Sequence, residues 1–289
     1  MNLKMLKSLC CTSEQHLHEF LVEFLKKNGY KKIKSKKEYI YAEGADPVCL
    51  IAHLDTVFPG LPPLAEFYLD KEKNVLWNPA GSGFDDRAGV YVIIQIILSG
   101  HHPTVVFTHG EEVGGIGASA LIKDMPKCPN KNIKAIIQLD RNGYNDMVFY
   151  NCDNQDFVSY ISSFGFEENF GTFTDISIIA PQWGIAAVNL SIGYEHEHSK
   201  GELLHLNWCD RVIDKTCEII RKSHNMKKYK YIKFKLGKNN SDNYFKTDIS
   251  YHEQCIACNK PLKPAERNIV PGMSPYVICD ECYGLYFNY

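Results

Sequence analysis

No run in this 289-residue chain approaches the ~20 consecutive apolar residues that a membrane-spanning helix needs. Excess charge of either sign is missing too. The 32 Lys and Arg residues against 34 Asp and Glu leave a formal charge of −2, which gives the molecule as a whole no footprint for DNA or an acidic membrane. The opening MNLKMLKSLCC has no uninterrupted apolar segment, because Lys4 and Lys7 divide it. A secretory h-region is therefore not expected, and a cytoplasmic protein is. Internal repeats and low-complexity tracts are absent as well. What remains is ordinary globular material, 45% apolar and 23% charged, long enough for one large domain and a small appendage.

Cysteine is plentiful, with eleven residues, but it is unevenly placed. Four cysteines form CIAC at 255–258 and CDEC at 279–282, with 20 residues between the pairs. Two such knuckles can supply four thiolates to one tetrahedral zinc. Cys255, Cys258, Cys279 and Cys282 are therefore expected to hold a structural Zn2+ in a segment with too few apolar residues to fold unaided. Cys10, Cys11, Cys49, Cys128, Cys152, Cys209 and Cys217 stand alone in apolar surroundings and read as reduced structural thiols.

Hydrophobic periodicity orders the rest. Residues 12 to 28 open on Thr12 and Ser13 as N-cap candidates, continue with Leu17, Phe20, Leu21 and Phe24 at helical spacing, and stop at Asn28-Gly29. KIKSKKEYIYAEG alternates like one exposed edge strand, and VCLIAH is a continuous apolar run suited to a central strand. TVVFTH, AIIQLD, MVFYNC and AAVNLSIG are further expected strands. VYVIIQIIL, GIGASALIKDM, FVSYISSFGF, TDISIIAPQWG and NWCDRVIDKTCEIIRKSH are expected helices. Strands alternating with helices predict an α/β three-layer sandwich with a mixed, mainly parallel central sheet, plus the small zinc-binding module. The expected division is 1–224 for the α/β domain, 225–250 for a basic linker or edge strand, and 251–289 for the cysteine module. Between 227 and 238, lysines alternate with aromatic and aliphatic residues. A half-buried edge strand guarded by lysines explains this better than a nucleic-acid groove.

Carboxylates and imidazoles then recur at strand ends: His53 and Asp55 in CLIAHLDTV, Asp85 in GSGFDDRAGV, Glu111 and Glu112 in VVFTHGEEVGGIGA, Asp140 in AIIQLDRNG, and His198 in VNLSIGYEHEH. Gathered at the carboxyl edge of a sheet, such N and O donors suit a hydrolytic centre with two divalent cations. Taken in this order, HLDTV, GFDDRAG, THGEEVGGIGA, Asp140 and GYEHEHSKGE resemble the co-catalytic di-zinc exopeptidase clan over roughly residues 12 to 224. Its compact, single-domain M28-type aminopeptidases are the nearest branch.

The resemblance implies that Asp85 bridges the two metals, that His53 and Asp140 complete one shell, and that Glu112 and His198 complete the other. It makes Glu111 the general base. Two residues beyond His53, Asp55 is placed to accept the second imidazole N–H and fix the tautomer. Asp86 follows the bridging residue across a peptide bond that is often cis in relatives. Thr174 and Asp175 match a recurring pair near the family's substrate pocket, and Tyr194 is a candidate substrate contact. His196 and His205 flank His198 and compete with it, but the family pattern selects the histidine after Glu197. Gly114, Gly115 and Gly117 permit close backbone approach. His101, His102 and His109 are expected at the surface or behind the ligands.

Only 31 residues separate His53 from Asp85 and 57 separate Asp140 from His198, so neither interval holds the domain-sized lid of several clan branches. Carboxypeptidase-type capture from such a lid is therefore not expected. The expected protein is a cytoplasmic metallopeptidase acting on short peptides, as an aminopeptidase or dipeptidase. Its donors suit zinc and also accept cobalt or manganese. Deacylation of N-acyl amino acids or other small amides is the near alternative. A non-enzymatic adaptor that binds nucleic acid or protein through the cysteine module is the distant one. No membrane partner is expected, whereas a homo-oligomer or a protein partner at the C-terminal module is compatible with the sequence.

Overall fold

The computed structural model describes residues 1–234, together with the backbone of two short strands at Asn268–Ile269 and Val277–Ile278. Residues Met1–Lys233 form one compact unit and Phe234–Tyr289 a second. In the second unit the two strands pair antiparallel. Cys255, Cys258, Cys279 and Cys282 lie outside the described residues.

The first unit is built on an eight-stranded sheet. Its strands are β1 (Ile33–Lys36), β2 (Tyr39–Ala42), β3 (Asp46–His53), β6 (Pro103–Thr108), β7 (Ala135–Arg141), β8 (Asp146–Val148), β9 (Glu167–Glu168) and β10 (Ala187–Ser191), in the order β1-β2-β6-β3-β7-β10-β8-β9. The pairs β3/β6, β3/β7, β7/β10 and β8/β9 are parallel; β1/β2, β2/β6 and β8/β10 are antiparallel. The expected mixed, mainly parallel α/β sheet is thus present.

Period-two alternation sorts the central strand between two cores. Val48, Leu50 and Ala52 of β3 face the core formed with helices α1 (Leu3–Cys10), α2 (Glu14–Lys27), α3 (Phe84–Leu98) and α7 (Leu206–Ser223). Cys49 and Ile51 face the opposite core, with α4 (Ile116–Asp124) and α6 (Ile176–Trp183). Helix α5 (Gln155–Ser162) adds Phe157 and Ile161 to the first core. Both faces being covered, β3 is buried along all eight residues, which explains its unbroken apolar run.

Several local expectations hold in detail. Helix α2 is capped by Ser13, whose side chain accepts from the His16 N–H, and Gly29 follows it at φ +88°. VYVIIQIIL is the buried helix α3. Others need correction. KIKSKKEYIYAEG is a hairpin rather than one strand: β1 takes the sheet edge, and β2 is fully buried between β1 and β6. MVFYNC stops being a strand after Val148, because Tyr150 and Asn151 adopt φ +44° and +64°. In the described part of the basic stretch after α7, residues 225–234, two isolated bridges form, Ile185 with Lys230 and Cys152 with Lys233, and the rest of the stretch lies outside the described residues. There Tyr229 is buried against Phe157 and Tyr160, while Lys228 and Lys230 stay exposed.

Two features were not expected. Helix α1 packs on α3, with Leu6, Leu9 and Cys10 buried. A second, antiparallel sheet of β4 (Tyr68–Asp70), β5 (Val75–Trp77), β11 (Tyr194–Glu195) and β12 (Leu203–His205), ordered β11-β12-β5-β4, ties the 68–77 segment to the 194–205 loop. The seven cysteines of the first unit are all unpaired. Burial raises the thiols of Cys10, Cys49 and Cys209, which keeps them protonated and unreactive. Among the described residues, no helix is long and apolar enough to cross a membrane.

Candidate metal centre

The four parallel strands β3, β6, β7 and β10 all end on one edge, and the sequence places a ligand-type residue at or just beyond each end. His53 closes β3, Glu111 and Glu112 follow β6, Asp140 is the penultimate residue of β7, and His198 lies seven positions past β10. Asp85 enters from the start of α3, where Gly81 and Gly83 at φ +102° and +67° turn the chain into the helix. The Asp85–Asp86 peptide bond is cis.

Donor atoms converge in two groups that share Asp85. One atom each from His53, Asp85 and Asp140 lies within 4.8 Å of the others, and so does one atom each from Asp85, Glu112 and His198. In the first group His53 Nε2 is 3.0 Å from Asp85 Oδ1 and 3.4 Å from Asp140 Oδ1. In the second, His198 Nε2 is 3.2 Å from Asp85 Oδ2 and 3.0 Å from Glu112 Oε2. His198 reaches them from a left-handed backbone at φ +60°, an uncommon conformation for a residue with a side chain. His196 is exposed and stays outside both groups, and His205 instead pairs with Glu195 and stacks on Trp208.

The surrounding hydrogen bonds fix these donors. Asp86 Oδ2 accepts from the His53 backbone N–H at 3.0 Å. His53 Nδ1 meets the main-chain carbonyl of Asp55 at 3.1 Å, closer than the Asp55 carboxylate at 3.4 Å. That carboxylate accepts from the backbone N–H groups of Glu111 and Glu112, at 3.2 and 3.1 Å. Asp55 therefore holds the glutamate loop as well as the imidazole. Thr174 donates to Asp140 Oδ2 at 2.8 Å, Tyr194 donates to Asp140 Oδ1 at 3.3 Å, and Thr108 donates to Asp175 Oδ2. Tyr194 is only 2% exposed, so it braces Asp140 from within. Gly117 admits the close approach expected of it: a Cβ there would sit 2.5 Å from the Glu38 carbonyl oxygen.

Electrostatics show what the site is short of. Burial, reinforced by the Asp140 charge, pushes the Glu111 carboxyl up to about 9, and burial raises Asp140 to about 6. Asp86 is lifted well above the carboxylate range, also by burial first and Asp140 second. Against burial, the His198 and His53 imidazoles hold Asp85 well below that range. Hydrogen bonds to Asp85 and Glu112 raise His198 to about 11. The cleft thus gathers more negative charge than its protein groups neutralise, and the carboxylates draw both imidazoles toward their protonated forms. Glu112 Oε1 is buried with no hydrogen-bond partner among the described residues. Two imidazoles, three carboxylates and an orphaned carboxylate oxygen fit divalent cations in place of those protons.

Three supporting residues were not singled out from sequence. Gln138, fully buried, donates to Asp140 Oδ2 at 3.0 Å and accepts from the Ile176 N–H. Asn189, 1% exposed, clamps the Asp140 backbone, its Oδ1 accepting from the Asp140 N–H at 3.0 Å and its Nδ2 donating to the Asp140 carbonyl at 2.8 Å. Glu202, fully buried, accepts from the Asp85 N–H at 2.8 Å. The available signal was a polar residue inside an apolar run, in AIIQLD and AAVNLSIG, and an acid preceding the apolar pair Leu203-Leu204.

The sequence model of Peptidase family M28 matches residues 32–163. No curated protein gives a match. Among solved structures, the fold is similar to a tripeptidase from Staphylococcus aureus subsp. aureus Mu50, with 13% identity over 78% of this chain and 98% of that one and a TM-score of 0.62. Aminopeptidase PepT from Bacillus cereus ATCC 10987 matches at 14% identity over 77% of this chain and 98% of that one, with a TM-score of 0.59. The TET1 peptidase of Pyrococcus horikoshii, described as assembling into a tetrahedron or a large octahedral shell, matches at 16% identity over 72% of this chain and 94% of that one, with a TM-score of 0.52.

Proposed function

We propose that this chain, a metallopeptidase of the co-catalytic exopeptidase clan with a family M28 match over residues 32–163, hydrolyses short peptides as an aminopeptidase or dipeptidase. The observation that carries this reading is the sharing of Asp85 by the His53–Asp140 and Glu112–His198 groups, with Glu111 in the same loop as one of the ligands. His53 and Asp140 would hold one divalent cation and Glu112 and His198 the other, with Asp85 between them; zinc suits these donors best, and cobalt or manganese also fits. Such a pair, when bound, lowers the pKa of a coordinated water and polarises the amide carbonyl.

With the cations bound, their charge would offset the burial and the Asp140 charge that raise Glu111, leaving its carboxylate ionised to accept the proton of the attacking water and deliver it to the leaving amine. Its poise depends on Asp55. Against the opposing effect of burial, His53 and the two loop N–H groups keep the Asp55 carboxyl down at about 2, so it remains an acceptor for the Glu111 and Glu112 amides across the working pH range. Asp86 orients the end of β3, and Thr174, Gln138 and Tyr194 hold Asp140, each through a hydrogen bond described above. Asp175 supports this wall through Thr108.

In the same reading the C-terminal segment carries one structural zinc on Cys255, Cys258, Cys279 and Cys282 and serves as a docking module for a protein partner. A homo-oligomer is proposed by analogy with the assembling TET1 peptidase. Unpaired cysteines throughout the first unit support a reducing, cytoplasmic setting.

The test is elemental mass spectrometry on the wild type and on Glu111→Gln, paired with hydrolysis of dipeptides and aminoacyl amides. About three zincs per chain in both proteins, with turnover lost only in the variant, is the expected result; general-base removal lowers the rate by roughly 10²–10⁴. One zinc per chain and no hydrolysis after supplementation with zinc, cobalt or manganese would refute it.

A further inference from the structure

The amino-terminal edge of the central sheet, opposite the metal centre, carries a cavity of about 410 Å3. Lys131, Lys134 and Lys228 line it together with His224, Asn132, Ala45 and Pro47, and none of these residues is acidic. Pro47 is the second residue of β3, and Lys134 directly precedes β7. His53 and Asp140 lie six residues further along those strands, so roughly 20 Å separates the cavity from the metal ligands.

The three ammonium groups have no carboxylate to answer them. Lys131 and Lys228 are exposed, and among the described residues neither makes an ion pair or a side-chain hydrogen bond. Lys134 is held in place: its Nζ donates to the Ser223 and His224 carbonyls, at 3.1 and 2.8 Å, where α7 ends. Those bonds answer the negative end of the helix dipole and leave the third N–H of the ammonium without an acceptor among the described residues. Asp46, between Ala45 and Pro47, is buried and already engaged, its oxygens meeting the His224 ring at 3.0 Å and the His102 N–H at 2.7 Å. Positive charge is therefore concentrated around a concavity, where a multiply charged anion relieves the repulsion.

We propose that this cavity binds a phosphate group, as the free ion or as a small phosphate ester. Lysine serves phosphate as a point charge, whereas carboxylate recognition favours the planar fork of arginine, and no arginine lines the cavity. A phosphate ester carries a charge of about −1.5 to −2 at pH 7, which suits three lysines better than a single carboxylate does. The volume falls in the range of roughly 300–1,000 Å3 typical of small-molecule sites, which leaves room for an organic part against Ala45 and Pro47. Such a ligand would bind without occupying the metal centre.

The experiment titrates the metal-loaded full chain by calorimetry with inorganic phosphate, ribose 5-phosphate and AMP, and with ribose and adenosine as phosphate-free counterparts. A salt concentration of about 0.15 M screens general attraction to the surface. The titrations are repeated on Lys131→Gln/Lys228→Gln and on Lys71→Gln/Lys73→Gln, which removes the same charge from the exposed turn between β4 and β5. Since Lys131 and Lys228 hold no other part of the described chain, their exchange should leave urea unfolding unchanged. A further titration after chelation separates this site from phosphate bound to metal.

One phosphate-bearing probe per chain should bind, at least about tenfold more tightly than its phosphate-free counterpart. Lys131→Gln/Lys228→Gln should weaken it about tenfold or more, the effect of losing charged hydrogen-bond partners, while Lys71→Gln/Lys73→Gln changes it less than about twofold. Equal affinity for inorganic phosphate and the esters identifies the free ion as the ligand; tighter binding of ribose 5-phosphate or AMP identifies a sugar phosphate or a nucleotide. No saturable binding of any phosphate probe overturns the site, as does an equal loss in the control pair. Binding that survives Lys131→Gln/Lys228→Gln and disappears on chelation overturns it too, and places the phosphate on the metals.

Discussion

Glu202 offers the sharpest test of how this site is held, because its role is confined to the chain's own atoms. Its carboxylate is fully buried and takes the Asp85 N–H at 2.8 Å, while its backbone carbonyl takes the Ser82 hydroxyl at 2.9 Å. The turn that delivers the shared carboxylate is thus bolted to the loop that delivers His198. Glu202→Ala leaves a buried N–H without an acceptor, about 1–3 kcal/mol, and opens a void where the side chain stood, about 1–2 kcal/mol more. A loss near 3–4 kcal/mol is a large fraction of the roughly 5–15 kcal/mol that stabilises a domain. Glu202→Gln keeps an oxygen acceptor at the same reach and should lose about 1 kcal/mol or less. Urea unfolding of the metal-free proteins measures both. Metal affinity should fall about 10–100-fold in the alanine variant, since the support of a ligand has been removed, and much less in the glutamine variant. An alanine variant that loses under about 1 kcal/mol and binds metal like the wild type would show that Asp85 is positioned by its own turn alone.

Three further outcomes are expected. Burial raises Asp175 to about 7, so its contribution to folding is fully present below the unfolded value of 3.8 and is lost as pH rises through 7. Asp175→Asn, which keeps an oxygen for Thr108, should therefore gain stability relative to the wild type between pH 5 and 8 on urea titration (~1 kcal/mol or more); a pH-independent difference would show that the carboxyl is not buried as described. Chelation should lower the calorimetric Tm of the first unit by about 5–10 °C from a state with free metal near 100 times Kd; an unchanged Tm would mean the five donors bind no ion. Gly117→Ala places a methyl 2.5 Å from the Glu38 carbonyl oxygen and 2.7 Å from the His109 nitrogen, both main-chain atoms. It should cost about 2–3 kcal/mol in thermal or urea unfolding, and a neutral effect would refute the close approach of the glutamate loop to the β1–β2 turn.

The sheet was legible because burial on both faces leaves a direct trace in sequence: VCLIAH and AIIQLD carry apolar residues at every position but the ligands and Gln138. Parallel strands also end on one edge, so ligand-type residues at their ends converge without any knowledge of register. Helix α1 was hidden by context. Leu6, Leu9 and Cys10 have helical spacing, but at the start of a chain the same residues invite comparison with a leader segment. The second sheet has strands of two or three residues, too short for a periodic pattern, and its pairing of Leu203 with Trp77 spans more than a hundred positions. The hairpin at 33–42 was misread because the two-residue turn Lys37-Glu38 has no Gly, Asn or Pro to mark it.

The supporting residues divide along a different line. A candidate metal ligand is narrowed by element, because few atom types bind a hard or borderline cation, and His53, Asp85, Glu112, Asp140 and His198 were picked out together, by the order of their motifs along the chain. Asn189 and Gln138 are recognised only by partner, since the same amide in a strand could equally face a loop or a water. Their meaning appears when β10 and β7 pair and bring Asn189 against both backbone groups of Asp140.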